Sequence, residues 1–281
     1  MKIVLFGCGQ GGQMVKNWIP ACHQLLAYAD NNSALWGSHV ACIPVIPPHD
    51  ILSLSPDLVW ITLLNQDAAL SVSNQLRELG FLGEIQFLKP LLRKIDLRLS
   101  HLRLMAEEIN RLRIPGAVAE LGVYKGAFSA EINRIFYDRD LYLFDTFEGF
   151  HSSDLEIEQT QTSMQSRFRK DFRDTSMEEV KSILPYPEKA IFCPGHFPES
   201  LPRNLPSFVF VSLDPDLYEP VWQGLQIFWP RMSKGGIILI HDYNSTQFPG
   251  VGKAVRRFCE ENRLMVLPLS DLHGSAVLVK Q

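Results

Sequence analysis

The sequence has few cysteines, and they are not arranged to bind zinc or to form a disulfide framework. The chain has 281 residues and only five cysteines, an odd number that is spread along the chain and never spaced Cys-x-x-Cys. Scattered, unpaired cysteines are typical of proteins that fold in the reducing cytosol. We therefore expect a cytoplasmic protein whose thiols are free.

Long apolar runs and an excess of positive charge are also missing. No apolar stretch approaches the roughly 18 residues that a membrane span requires, and the segment after Met1 passes from an apolar strand directly into glycine-rich sequence, unlike a signal peptide. The 27 basic and 31 acidic residues give a net charge of −4, which offers no general attraction for nucleic acid or for an acidic membrane. We expect a partner that is a small molecule, with no nucleic acid and no membrane.

Apolar strands alternate with helical segments in two stretches of the chain, so the sequence predicts two α/β domains. We expect a small Rossmann-like domain at residues 1–88, a connecting helix at 89–113 and a larger Rossmann-like domain at 114–281. Within the larger domain, the polar segment from about 151 to 187 is long for a loop, and insertions of this kind often act as lids.

The connecting segment carries one apolar stripe at helical spacing. The stripe consists of Ile95, Leu99, Leu102, Met105, Ile109 and Leu112. Such a helix either serves as a linker or dimerisation element or packs on its own chain, and the spacing favours neither. The basic residues of this region are interpreted as a solvated helix face. They are Lys89, Arg93, Lys94, Arg98 and Arg103.

A glycine-rich turn follows the first strand. Gly7, Gly9 and Gly12 fit the pattern G-x-G-x-x-G, in which glycines let backbone amides approach a phosphate. Asp30 ends the next strand, where dinucleotide-binding proteins place an acid that binds ribose. The pattern predicts either a nucleotide or sugar-nucleotide site or a scaffold that binds nothing. A domain at 1–88 is short for a complete dinucleotide fold, which argues against hydride transfer.

Three further motifs lie in the same domain. They are Ala29-Asp30-Asn31-Asn32, Trp36-Gly37 and Ile43-Pro44-Val45-Ile46. These motifs resemble the small N-terminal domains of sugar-modifying enzymes such as sugar acyltransferases. The resemblance implies a nucleotide-sugar-binding role or a purely structural one.

A second glycine-rich turn, Glu120–Gly126, has the pattern E-x-G-x-x-x-G between a strand and a helix, and Asp145 ends the following strand. This arrangement is typical of methyltransferases that use S-adenosylmethionine. Gly122 and Gly126 leave room for the methionine part of the cofactor, and the acceptor oxygens of Asp145 suit the two ribose hydroxyls. Glu120 would steady the loop. The glycines by themselves fit an ordinary turn equally well.

Two strongly apolar strands later in the chain are each followed directly by polar residues. Asp214 follows one of them, and His241 and Asp242 follow the other. Because parallel strands end at one edge of a sheet, we expect the three side chains to converge and to bind one divalent cation. A hydroxyl bound to such a cation becomes more acidic, and a neighbouring carboxylate accepts its proton.

The larger domain contains five distinctive segments in a fixed order. They are Ala119–Gly126, Phe144–Phe150, Gly195–Pro202, Leu213–Glu219 and His241–Tyr243. In this order they resemble the macrocin O-methyltransferase family of metal-dependent sugar methyltransferases, over about residues 114–280. The resemblance implies a class I methyltransferase fold, a lid after the second strand, magnesium and a homo-oligomer.

The resemblance also implies which residues form the site. Asp214 is a metal ligand and the catalytic base, and the loop at 195–197 lies near the adenine. The cofactor-binding residues are Glu120, Gly122, Lys125, Gly126, Asp145, Thr146, Gly195, His196 and Phe197.

The sequence departs from the family at the metal, because the family reads Asp-Asp-Tyr where this chain has His241-Asp242-Tyr243. His241 is then one of three things. It is a nitrogen ligand that favours manganese or iron, or a proton acceptor that does not touch the metal, or a sign that the metal has been lost.

Together these patterns predict an enzyme that transfers a methyl group from S-adenosylmethionine to a hydroxyl of a sugar or another polyol-bearing small molecule. The first alternative is a non-catalytic nucleotide- or sugar-binding protein on a methyltransferase fold. The second, less favoured, is an NAD-dependent oxidoreductase that uses the turn at 7–12.

Overall fold

The computed structural model describes residues 1–92, 95–162, 172–271 and 274–281. Its contacts divide the chain into two compact units, Met1–Leu97 and Arg98–Gln281. The division falls inside the segment that was expected to be a connecting helix. The five cysteines are all free thiols, as predicted. Within the described ranges, none of the helices combines the length and the apolar character that a membrane span requires.

In the described residues, the first unit is an open sheet of six strands with four α-helices. The strands are β1 (Lys2–Phe6), β2 (Gln24–Ala29), β3 (His39–Val40), β4 (Ile43–Ile46), β5 (Leu58–Ile61) and β6 (Glu84–Phe87), and the helices are α1 (Gln10–Lys16), α2 (Ile51–Leu54), α3 (Gln66–Glu78) and α4 (Leu88–Leu92). The sheet order is β3-β4-β2-β1-β5-β6. Neighbouring strands are parallel except β3, which is antiparallel to β4.

The core of this unit lies between the central strands and α3. Val4, Val59 and Ile61 are fully buried against Val72 and Leu76 of that helix. The helix begins at Asn65, whose side chain accepts a hydrogen bond from a backbone amide of the first turn. A parallel sheet covered in this way buries both faces of its strands, which is why these strands are apolar throughout.

The part of the second unit that the structure describes is an open sheet of seven strands with six α-helices. The strands are β7 (Ala117–Leu121), β8 (Leu141–Asp145), β9 (Ala190–Pro194), β10 (Phe208–Leu213), β11 (Met232–Ile240), β12 (Leu267–Pro268) and β13 (Ala276–Val279), and the helices are α5 (Leu97–Arg111), α6 (Ala127–Ile135), α7 (Ser152–Thr162), α8 (Met177–Ile183), α9 (Tyr218–Phe228) and α10 (Pro249–Asn262). The sheet order is β12-β13-β11-β10-β7-β8-β9. All neighbours are parallel except β13, which runs antiparallel to β11 and β12.

The expected connecting helix at 89–113 is not one continuous helix. Residues 95 and 96 are not helical and separate α4 from α5, whereas Arg93 and Lys94 lie outside the described residues. Leu102 and Ile109 of α5 are buried against strand residues such as Val118. Helix α5 therefore packs on its own chain, one of the two alternatives that the spacing left open.

The polar segment expected to be a lid contains α7 and α8, and its residues 163–171 lie outside the described residues. Ser176 caps the N-terminus of α8, where its side chain accepts a hydrogen bond from a backbone amide of the first turn. Helix α7 was not predicted. Glu158 on α7 accepts hydrogen bonds from the amide of Tyr218 at 2.7 Å and of Gly250 at 3.1 Å, in the first turns of α9 and α10. A carboxylate is favoured at helix N-termini, so this contact fastens α7 to both helices.

Candidate active site

Four parallel strands, β8, β7, β10 and β11, lie side by side and end at the same edge of the second sheet. Ligands of open α/β sheets bind at this edge. The polar residues that the sequence placed after β10 and β11 meet there. They are joined by Arg98 of α5, which the sequence did not suggest as a site residue.

The imidazole of His241 lies between two carboxylates. Its Nδ1 is 2.8 Å from Oδ1 of Asp214 and 2.9 Å from Oδ2 of Asp242. One ligand atom from each residue lies within 4.8 Å of the others. Only 11% of the His241 side chain and 9% of the Asp242 side chain are exposed. The structure thus brings the three predicted metal ligands into one largely buried cluster, which we call the acidic cluster.

Arg98 supplies a positive charge to the acidic cluster. Its Nη1 donates to Oδ2 of Asp214 at 2.8 Å, and its Nη2 donates to the hydroxyl of Ser212 at 3.1 Å. The guanidinium lies 3.7 Å from the centroid of the Phe128 ring, and Nη2 is 3.9 Å from a carboxylate oxygen of Glu120. With 13% of its side chain exposed, Arg98 is not part of a solvated helix face, and that interpretation is wrong for this residue.

The charges of the cluster set its protonation. Burial alone would raise the pKa of Asp214, but the neighbouring Arg98 and His241 outweigh burial and hold that pKa well below its ordinary value. Burial would lower the pKa of His241, yet the attraction of Asp214 and the hydrogen bonds to both carboxylates raise it to about 10. Burial and the nearby carboxylates raise the pKa of Asp216 well above its ordinary value. Near neutral pH, Asp214 is therefore ionised and His241 is protonated.

Glu120 lies beneath the cluster and is 1% exposed. The hydroxyl of Ser129 donates to its Oε2, and the hydroxyl of Ser212 lies 3.5 Å from its Oε1. Burial raises the pKa of Glu120 to about 8, although Arg98 and Ser129 favour the charged form. Glu120 is thus a buried acid on β7, and its hydrogen bond with Ser129 connects this strand to α6.

The glycine turn after β7 packs tightly against the residue that follows β10. Gly122 has a φ of +88°, and a Cβ atom there would lie 2.2 Å from the carbonyl oxygen of Asp214. Only glycine fits both the backbone angle and this contact. Gly126 lies at the N-cap of α6. The turn and the acidic cluster are therefore direct neighbours.

Asp145 at the end of β8 holds the same turn. Its Oδ2 accepts hydrogen bonds from the amides of Val123 at 2.7 Å and Tyr124 at 2.8 Å, and its Oδ1 accepts one from Phe147 at 2.7 Å. A carboxylate offers about four acceptor positions. Asp145 can therefore brace the turn and still accept a hydrogen bond from a ligand hydroxyl.

Two other predicted cofactor residues make contacts within the chain. Nζ of Lys125 is 2.8 Å from a carboxylate oxygen of Asp174 at the surface. The hydroxyl of Thr146 donates to the carbonyl of Gly149 at 2.7 Å. These contacts shape the loops after β7 and β8.

The loop after β9 lies beside the end of β8, because the amide of Gly195 donates to the carbonyl of Asp145 at 2.9 Å. The ring of His196 stacks on His151 with 4.0 Å between centroids. Phe197 is buried in the core. The three residues predicted to lie near the adenine thus belong to the same sheet edge as the glycine turn.

In the first unit, the predicted phosphate-binding turn is held from within the chain. The amide of Cys8 donates to Oδ2 of Asp30 at 3.2 Å. A Cβ atom at Gly12 would lie 2.1 Å from the carbonyl oxygen of Gly7, whereas one at Gly9 would meet nothing within 4 Å. Packing explains the glycine at position 12. The open space at Gly9 keeps a ligand site and a plain scaffold as alternatives.

Comparison with known proteins identifies the second unit. The family model described as Macrocin-O-methyltransferase (TylF) matches residues 95–281. Demethyldecarbamoylnovobiocin O-methyltransferase of Streptomyces niveus is 28% identical over 156 residues, covering 52% of this chain and 60% of that protein. Mycinamicin III 3''-O-methyltransferase of Micromonospora griseorubida is 28% identical over 163 residues, covering 52% and 62%. The chain thus spans less than two thirds of the length of these relatives.

Solved structures show the same fold. The O-methyltransferase NovP has a TM-score of 0.53 and 23% identity, covering 66% of this chain and 79% of that chain. CalS11, a calicheamicin methyltransferase, has a TM-score of 0.50 and 18% identity, covering 76% and 86%. These structures confirm the expected class I methyltransferase fold. Because the family model matches residues 95–281, the chain belongs to the macrocin-O-methyltransferase family.

Proposed function

We propose that this protein transfers a methyl group from S-adenosylmethionine to a hydroxyl of a sugar-bearing small molecule. Membership of the macrocin-O-methyltransferase family supports the reaction, and the names of the relatives from Streptomyces niveus and Micromonospora griseorubida support the class of acceptor. The observation that carries the proposal is the contact between Gly122 and the backbone of Asp214. This contact sets an ionised carboxylate directly beside the glycine turn.

The residues around the turn fit the cofactor. The turn has no side chain at Gly122, and Asp145 keeps an acceptor position for a ribose hydroxyl. S-Adenosylmethionine supplies a methyl group on a positively charged sulfur, which needs no further activation. The chain must therefore orient the acceptor and take up its proton.

Asp214 is the residue proposed to take up that proton. It is ionised near neutral pH, because Arg98 and His241 hold its pKa low, whereas His241 with a pKa of about 10 is already protonated. His241 and Arg98 bind one oxygen each of the Asp214 carboxylate. They fix its orientation, so the remaining lone pairs can accept a hydrogen bond from the hydroxyl while the new bond forms.

The substitution Asp214→Asn tests this assignment. We expect methyl transfer to fall by at least about 100-fold, the usual contribution of a positioned base, with cofactor affinity changed by less than about threefold, a factor worth under 1 kcal/mol. The assay follows S-adenosylhomocysteine formation with mycinamicin III and demethyldecarbamoylnovobiocin as trial acceptors, and calorimetry gives cofactor affinity. Asp138→Asn, at an exposed position, is the matched control.

Two results would overturn the proposal at different levels. Full activity of Asp214→Asn would show that another group takes the proton. Wild-type protein that binds NADH in calorimetry and fails to bind S-adenosylmethionine would refute the methyltransferase function itself and favour an oxidoreductase.

A further inference from the structure

The positive charge in the acidic cluster comes from the chain itself. We propose that Arg98 takes the place of the divalent metal ion, so that this protein binds no metal in the cluster and transfers methyl groups without one. The inference rests on the proposed function, since it concerns the same site. It replaces the expectation that Asp214, His241 and Asp242 hold Mg²⁺ or Mn²⁺.

The atoms that would bind a metal are already bonded to one another. Both oxygens of Asp214 have partners, because Oδ1 is 2.8 Å from Nδ1 of His241 and Oδ2 is 2.8 Å from Nη1 of Arg98. The same Nδ1 is 2.9 Å from Asp242. A ring nitrogen that donates a hydrogen to carboxylates has no lone pair for a metal. As arranged, Nδ1 of His241 and both oxygens of Asp214 are occupied by partners within the chain, and a divalent ion would have to displace those partners.

Arg98 is held as a fixed part of the site. It contacts Asp214 and Ser212 through hydrogen bonds, lies 3.9 Å from Glu120 and stacks over Phe128. A planar guanidinium suits such a position, because it can bind a carboxylate and stack on a ring at once. A dication bound to the same Asp214 carboxylate would be repelled by this charge.

Position 241 also makes the cluster less negative than the family's metal site. The family resemblance implies an acid at position 241, and this chain has a histidine there, so the cluster has one carboxylate fewer. A metal site gains affinity from carboxylates and loses it to neighbouring cations. The missing carboxylate at 241 and the guanidinium of Arg98 on Asp214 both make the cluster less attractive to a dication.

Arg98 acts on the reaction through Asp214 and is a positioning residue. It neutralises a cluster that also contains Asp242 and lies close to Asp216 and Glu120. It also fixes the carboxylate oxygen that faces away from His241. Without it, Oδ2 of Asp214 would lose its partner, and a cation from solvent would be attracted.

Direct titration with Mn²⁺ tests the inference without an acceptor substrate. The full chain, stripped with EDTA and loaded with S-adenosylhomocysteine, is titrated by calorimetry and by the electron paramagnetic resonance signal of free Mn²⁺. We expect no binding by wild type up to about 1 mM, the weak end of protein sites for divalent ions. Arg98→Gln and His241→Asp should each raise Mn²⁺ affinity by at least about tenfold, because each removes positive charge beside the ligands.

Two further variants serve as matched controls for Arg98→Gln. Arg98→Lys keeps the charge and should bind Mn²⁺ no better than wild type. Arg103→Gln removes an exposed charge from the same helix and should also leave Mn²⁺ binding unchanged. Circular dichroism of each variant verifies the fold, and the wild-type titration decides the question by itself if Arg98→Gln does not fold.

Wild-type protein that binds Mn²⁺ with a dissociation constant below about 1 mM would overturn the inference. Equal Mn²⁺ affinities of wild type and folded Arg98→Gln would overturn the role of Arg98. Failure of every variant to bind S-adenosylhomocysteine would refute the proposed function separately, because the Mn²⁺ titration can be repeated on the unloaded protein.

Discussion

Replacing Glu120 with glutamine should change how the stability of the second unit depends on pH. Burial raises the pKa of Glu120 to about 8 from an ordinary value of 4.5. Between these two values the folded protein holds a proton that the unfolded chain releases. The free energy of unfolding therefore falls as pH rises from about 4.5 to 8.

The size of the effect follows from the shift. At ~1.4 kcal/mol per pKa unit, the buried carboxyl accounts for at most about 5 kcal/mol across this window. Glutamine has nearly the same shape. Because the hydroxyl of Ser129 can accept as well as donate, the amide can keep this hydrogen bond and turn its oxygen toward Arg98. The variant should match wild type near pH 5 and be more stable above pH 8.

Urea unfolding at pH 5, 6.5 and 8 measures the difference. Fluorescence of Trp222 and Trp229 reports the second unit when the tryptophans of the first unit are replaced by phenylalanine. Glu107→Gln, at an exposed position on α5, is the control. His241, whose pKa is raised to about 10, adds stability that is lost above about pH 6.5, so the comparison between pH 5 and 6.5 is decisive. Identical pH slopes for wild type and Glu120→Gln would refute the reasoning.

Two further substitutions test contacts elsewhere. Glu158→Gln should lower the free energy of unfolding by about 1–3 kcal/mol, because the two backbone amides bond to different carboxylate oxygens and the NH2 group that replaces one oxygen in glutamine cannot accept. Urea unfolding and protease cleavage within α7 measure this, and a loss equal to that of the exposed control Glu156→Gln would contradict it. Gly12→Ala should destabilise the first unit by more than ~2 kcal/mol, whereas Gly9→Ala should change its melting by less than ~0.5 kcal/mol. Equal melting temperatures of the two glycine variants would show that packing does not explain the turn.

Most strands of both sheets could be predicted because burial on two faces demands apolar residues in an unbroken run. Strand β10 is the clearest case, since all of Phe208–Leu213 is buried. The polar residues after β10 and β11 could be placed at one edge for the same reason, because the ends of parallel neighbours must coincide.

Helix α7 could not be predicted because its buried residues are carboxylates. Asp154 and Glu158 face the protein, so the helix has no apolar stripe to reveal it. The hairpin of β3 and β4 was missed for a different reason. Its turn residues Ala41 and Cys42 both have positive φ, yet neither is the glycine or asparagine that marks such turns.

Helical spacing cannot show whether Arg98 is exposed or buried, which is why the interpretation as a solvated helix face is wrong for this residue. Its polar side chain lies on a helix whose other charged residues, such as Arg103, are exposed. Only the tertiary position of α5 distinguishes a solvated arginine from one that binds Asp214.

The position of β13 has a consequence for how the protein is synthesised. Strand β13 lies between β11 and β12, so the ribosome makes both of its neighbours before it. Until Ala276–Val279 emerges, β11 has one unpaired edge that is apolar from Ile237 to Ile240. Exposed apolar edges recruit other strands. Nascent chains halted between β12 and β13 should therefore depend on chaperones more than the finished protein does.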